Sequence, residues 1–166
     1  RDRILDTFLD RPVATGVMLA GEKGSGKSLL AKSLSIKGYE LNIPTIIINT
    51  AYTGDSFNKF IQDIHQPVII LFDEFEKVYD EEQQEHILTL LDGVFPTKKL
   101  FVLTCNDVFR IDRNMKNRPG RLYYFIKFKS LSTEFVEEYA QDNLNDKTQI
   151  KSLVAMSAMF FNFNFD

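Results

Sequence analysis

Five short apolar runs punctuate the chain: residues 16–20 (GVMLA), 43–48 (IPTIII), 68–72 (VIILF), 100–104 (LFVLT) and 122–128 (LYYFIKF). Continuous apolar runs, as opposed to alternating ones, suit strands buried on both faces. Helical spacing lies between them, over 28–37, 56–64 and 81–94. In the last of these Ile87, Leu88, Leu90, Leu91, Val94 and Phe95 gather on one side, and Gly93 would end the helix. Gly38 reads as the stop of the first. Strand–helix alternation of this kind means a parallel sheet with helices on both faces, an α/β fold. Beyond Phe128 the pattern changes, because 130–144 and 147–161 read as helices with no strand between them. The expected organisation is an α/β core over 1–129 and a small helical subdomain over 130–166, joined near Ser130.

Composition narrows the classes without naming a function. The 166 residues are 44% hydrophobic and 26% charged, ordinary for one soluble globular core. A net charge of −3 and a pI of about 5.5 suggest no global attraction to nucleic acid or anionic membrane. Cys105 is the sole cysteine, which excludes a disulfide framework or thiolate cluster; within an apolar run it reads as a small buried hydrophobe. No apolar segment approaches the ~18 residues of a membrane span. No signal peptide is visible, and a cytoplasmic location is expected. The chain begins with Arg1 and stops in FFNFNFD, so both ends are open to continuation in a longer protein.

The stretch GEKGSGKS, residues 21–28, changes the picture most. It matches G-x-x-x-x-G-K-[ST] through Gly21, Gly26, Lys27 and Ser28. Such a loop curls so that successive backbone N–H groups converge on phosphate oxygens, and glycines permit the curl. Lys27 would reach the β- and γ-phosphates and the Ser28 hydroxyl would bind Mg²⁺. The strand before it and the helix after it supply the required context, including a positive dipole end.

Three further stretches carry chemistry. VIILFDEFEK sets Asp73 and Glu74 just past a strand, where ligands collect in open α/β sheets. There Asp73 can hold Mg²⁺ through water and Glu74 can polarise an attacking water; a solvated acidic turn is the bland alternative. LFVLTCND ends a strand with Asn106, which either contacts the γ-phosphate or orients the water, or is a turn residue. RNMKNRPGRLYY carries Arg113, Lys116, Arg118 and Arg121 around Pro119–Gly120. This stretch is a nucleic-acid patch, a solvated loop, or an arginine finger for a neighbouring subunit's nucleotide. A finger is worth roughly 10³–10⁵ in rate.

Taken in order, GEKGSGKS (Walker A), IILFDEFEK (Walker B), LTLLDGV, LTCND (sensor 1) and IDRNMKNRPGRL resemble the AAA ATPases, ring-forming motors of the additional-strand P-loop class. The resemblance covers nearly the whole chain, and RPGR is similar to the arginine-finger motif of one branch. It implies a five-stranded parallel sheet of order 5-1-4-3-2, followed by a partial helical lid. It also implies ATP and Mg²⁺, held by Gly21, Glu22, Lys23, Gly24, Ser25, Gly26, Lys27, Ser28, Leu29 and Asp73, with Ser28 and Asp73 at the metal. Glu74 would activate water, Asn106 would position it, and Arg118 and Arg121 would act in trans within a homo-oligomer, a hexameric ring. AYTGDSFNKFI, residues 51–61, looks like the family's pore loop, which would turn Tyr52 toward the channel and a protein substrate; packing of Tyr52 against the sheet edge is the alternative. The family's second sensor finds no match before Asp166, and the phenylalanines at 160, 161, 163 and 165 are unfinished lid core or a contact with the next subunit. The implied work is remodelling or threading of protein. A loader acting on DNA is the first rival, mildly disfavoured by the acidic pI; a nucleotide-switched assembly module and a small-molecule P-loop kinase are the others.

Overall fold

A computed structural model describes residues 1–117, 121–129, 132–144 and 146–159. The elements run α1 (Asp2–Asp10), β1 (Thr15–Ala20), α2 (Lys27–Glu40), β2 (Thr45–Ile48), α3 (Asp55–Gln62), β3 (Val68–Phe72), α4 (Phe75–Val78), α5 (Glu81–Leu91), β4 (Lys99–Cys105), α6 (Arg113–Asn117), β5 (Tyr124–Lys127), α7 (Thr133–Asn143) and α8 (Ile150–Met159). All strand pairs are parallel, and the order β2-β3-β4-β1-β5 is the expected 5-1-4-3-2.

The three central strands are buried along their whole length, as their continuous apolar runs require; edge strands β2 and β5 are only partly covered. Alternate residues feed two cores. Met18, Ile70, Phe72, Phe101 and Leu103 face α3, α4 and α5, where Phe57, Ile61, Phe75, Tyr79 and Ile87 meet them. Val17, Leu19, Ile69, Leu71 and Val102 face α1 and α2, meeting Ile4, Leu5, Phe8, Ala31 and Leu34. Each fully buried Val, Leu, Ile, Met or Phe among them contributes about 1.5–3 kcal/mol.

Helix boundaries differ from the sequence pattern for local reasons. Gly38 does not stop α2, which continues to Glu40. A Cβ at 38 would stand 2.6 Å from Ile69 Cδ1, so this glycine serves close packing of helix on sheet, and the turn falls at Asn42, whose φ is 57°. At α5 the start is fixed by a reciprocal cap: Asp80 accepts from the Gln83 N–H while the Gln83 side chain accepts from the Asp80 N–H. Unforeseen were α1, the single turn α4 and α6 within the basic stretch. Helices α7 and α8 follow β5 with no strand between them among the described residues, burying Val136, Ala140 and Ile150; the expected junction at Ser130 and the terminal phenylalanines lie outside the described residues.

One polar residue sits at the heart of the amino-terminal edge of the sheet. Lys99, fully buried, donates from Nζ to Ile64 O (2.8 Å), Gln66 O (3.4 Å) and Thr97 Oγ1. Burial pushes its ammonium below the ordinary lysine range. It ties the end of α3 and the loop before β3 to the start of β4.

Candidate nucleotide site

Beyond Ala20 the backbone turns through three glycines with φ of 152° (Gly21), 79° (Gly24) and 97° (Gly26), a region that side chains disfavour. Gly21 is also needed for space, since a Cβ would lie 2.4 Å from Phe128 O. The loop is clamped on both flanks: Gly21 N–H donates to Cys105 O (3.0 Å), and Phe128 N–H donates to Ala20 O (2.7 Å). Gly26 is the N-cap of α2 and no side chain caps that end. The first-turn N–H groups therefore suit an anion.

Lys27 is buried and donates to Gly21 O (2.7 Å), Glu22 O (2.6 Å) and Ser25 Oγ (3.4 Å). Burial pushes its ammonium pKa down, against the opposing pull of Cys105, Glu76, Asp73 and Glu74. These bonds all go to neutral oxygens, so a phosphate oxygen would be a stronger partner in the same cradle. Lys23, Ser28 and Leu29 are exposed and Glu22 and Gly24 half-buried at the loop's mouth, while Ser25 is buried in its wall.

The carboxyl ends of β3 and β4 lie side by side, one step past the register pair Phe72–Leu103. Here the two strand ends are stitched together. Thr104 Oγ1 donates to Asp73 Oδ1 (2.6 Å) and accepts from the Glu74 N–H (2.8 Å). Asn106 Nδ2 donates to Glu74 Oε1 (3.2 Å), and the Asn106 N–H donates to Glu76 Oε1 (3.0 Å). Glu74 itself holds a left-handed backbone, φ 47° and ψ 47°, at the cap of α4. Such a conformation in a non-glycine residue costs about 1–3 kcal/mol and persists only where its surroundings impose it. Lys77 Nζ lies 2.5 Å from Glu74 Oε1; that bond first, then Asn106, holds the Glu74 carboxyl below the usual range.

Ser28 and Asp73 offer two hard oxygen donors, and no group of three or more metal-binding His, Cys, Asp or Glu side chains exists among the described residues. That set fits Mg²⁺ carried mainly by nucleotide and water, and not a protein-only cage.

The other sequence candidates are placed as follows. Tyr52 is 55% exposed beside α3; its ring stacks on Phe57 at 6.1 Å, and its carbonyl accepts from Tyr79 Oη (3.1 Å). Arg121 is buried, with Nε and Nη2 at 2.7 and 2.6 Å from Asp92 Oδ2 at the end of α5. Its backbone lies against Gly16, where a Cβ would stand 2.1 Å from Arg121 O, near the end of β1 away from the phosphate loop. Arg118 lies outside the described residues. Sequence reasoning passed over the Thr104 hydroxyl and Glu76. The available signals were a polar residue closing an otherwise apolar strand and a second acid two positions after Glu74.

Known proteins resemble this chain in sequence and fold. The ATPase family associated with various cellular activities (AAA) matches residues 17–130. A putative cell division cycle ATPase of Plasmodium falciparum (isolate 3D7) is 31% identical over 64% of this chain and 10% of that protein. The ATP-dependent zinc metalloprotease FtsH of Heterosigma akashiwo is 30% identical over 69% of this chain and 20% of its own length. Human peroxisomal ATPase PEX1 is 29% identical over 70% of this chain and 11% of its own. The chain thus spans a tenth to a fifth of these relatives. A chain in the structure of the E. coli MS115-1 HORMA:CdnC:Trip13 complex superposes with a TM-score of 0.64 at 18% identity, over 98% of this chain and 66% of that one, a likeness of fold.

Proposed function

The chain belongs to the AAA family of ATPases, and on that footing we propose that it is a motor core that binds ATP, hydrolyses it to ADP and phosphate, and uses the cycle to remodel or thread protein within a ring. The observation that carries the hydrolytic reading is the stitched strand end. Glu74 and Asn106 share a hydrogen bond beside Asp73, and the loop holding Lys27 is tied to the same strand end through Cys105 O. Gly24, Gly26 and Lys27 hold the phosphates. Ser28 and Asp73 would hold Mg²⁺, which neutralises phosphate charge when bound. Glu74 accepts a proton from the attacking water as its oxygen forms the new bond to the γ-phosphorus and the bond to the ADP oxygen breaks. Asn106 orients that water.

Arg118 supplies the finger to a neighbour's site, the chemistry expected of an always-charged, planar guanidinium. Arg121 is held by Asp92 at the end of α5 of its own chain. Residues 130–166 form the start of the lid, and the half-exposed Tyr52 is the residue that would grip a polypeptide. The test is a pair of variants. Lys27→Ala abolishes ATP binding; Glu74→Gln keeps binding and lowers phosphate release by about 10²–10⁴. A Glu74→Gln variant hydrolysing at the parent rate removes Glu74 as the base.

A further inference from the structure

Glu76 is the buried acid that the proposed reaction leaves without a task. Only 2% of it is exposed, it sits on the single turn of α4, and its two oxygens differ. Oε1 accepts from the backbone N–H of Asn106 at 3.0 Å; Oε2 is buried with no hydrogen-bond partner among the described residues. A half-satisfied buried carboxyl group is costly, so its retention here wants an explanation beyond packing.

The placement supplies the explanation. Asn106 lies just past the end of β4, where the strand ladder no longer holds its N–H. Its side chain reaches Glu74 Oε1 at 3.2 Å, a length sensitive to small shifts of the backbone that carries it. Two bonds from α4 and its cap, one to the Asn106 backbone and one to its amide, then fix both position and direction.

We propose that Glu76 is a positioning residue for the hydrolytic step: it pins the Asn106 backbone so that the Asn106 amide and the Glu74 carboxylate stand in register for one water. The inference rests on the hydrolytic reading above. Glu76 touches neither nucleotide nor water in this assignment; it acts on the water through Asn106, and its charge also supports the Lys27 ammonium.

A double-mutant cycle on phosphate release tests it, in the full chain under conditions where the parent turns over. Glu76→Leu removes the acceptor and fills the volume; Glu76→Gln keeps an acceptor oxygen for the Asn106 N–H. Expected are a 10- to 100-fold fall in kcat for Glu76→Leu with ATP affinity within about threefold of the parent, and recovery to within about threefold of the parent kcat for Glu76→Gln. Asn106→Ala is expected to slow turnover by itself, and adding Glu76→Leu to it should cost nothing more, because the group being positioned is gone. Chemical denaturation of each variant separates lost fold from lost turnover. If the two losses multiply in the double variant, or Glu76→Leu turns over like the parent while Asn106→Ala is slow, Glu76 does not act through Asn106 and the proposal falls alone. If Asn106→Ala is as fast as the parent, Asn106 does not position the water and this proposal falls while hydrolysis stands; if the parent releases no phosphate, the hydrolytic reading falls and takes this proposal with it.

Discussion

Replacing Thr104 by valine removes one oxygen and keeps the shape, and that oxygen is the pivot of the strand-end network. The lost hydroxyl donates to Asp73 at 2.6 Å and accepts from the Glu74 N–H at 2.8 Å. A hydrogen bond to a charged group contributes about 1.5–3 kcal/mol, and a buried N–H left unpaired costs about 1–3 kcal/mol. Both groups are only partly buried, so water recovers some of this and a loss of about 2–4 kcal/mol of folding stability is expected. The kinetic effect has a separate origin. The left-handed backbone of Glu74 stores about 1–3 kcal/mol, and the Thr104 hydroxyl is the group that holds its N–H in that pose. Released, Glu74 relaxes toward right-handed geometry and its carboxylate leaves Asn106. If about 2.7 kcal/mol of transition-state stabilisation goes with it, kcat falls about 100-fold. Single-turnover phosphate release and urea denaturation read the two effects. Thr104→Ser, which keeps the oxygen, should remain within about threefold of the parent in rate. A Thr104→Val variant with parental rate and stability, or a serine variant as impaired as the valine, would refute the reasoning.

Three further outcomes are expected. Specific activity should rise with protein concentration as subunits assemble, and Arg118→Ala should remove that rise with ATP affinity nearly intact. Mixing inactive Glu74→Gln and Arg118→Ala subunits should restore partial activity, and a dead mixture where the parent assembles excludes a finger acting in trans. Folding stability should fall at alkaline pH. Burial pushes the Cys105 thiol and the Tyr79 hydroxyl each up to about 12, from 9.0 and 10.0. The unfolded chain therefore loses these protons first, and stability present below pH 9 declines through the interval to about 12, by about 1.4 kcal/mol per pH unit for each group in its own window. Denaturation midpoints at pH 8 and 10.5, with Cys105→Ala as the control that flattens part of the slope, measure it.

The strands and the phosphate loop were legible because both depend on local pattern, whereas the strand order came from the family resemblance. Apolar runs buried on two faces differ from helices in sequence, and three glycines around Lys27 have one common use. Gly38 misled because glycine signals both a helix end and a close approach, and only the position of Ile69 across the interface decides between them. The bonds among Thr104, Asp73, Glu74, Glu76 and Asn106 span about thirty positions of sequence, so no window along the chain contains them. Arg121 illustrates the same limit. Its charge was visible, but its pairing with Asp92 exists only once β5 lies beside β1.

The Lys99 cage has a consequence for how such a protein can change. Strand β4 runs from that cage to the reacting end, seven residues or roughly 20 Å, well past the ~7–10 Å beyond which substitutions add independently. Edits at Lys99 or Thr97 therefore shift the folding equilibrium without entering the geometry of turnover, and edits at Thr104 or Asn106 can be compensated from the far end. A lineage carrying this sheet has a reserve of tolerance at one edge that it can draw on while the opposite edge explores new kinetics.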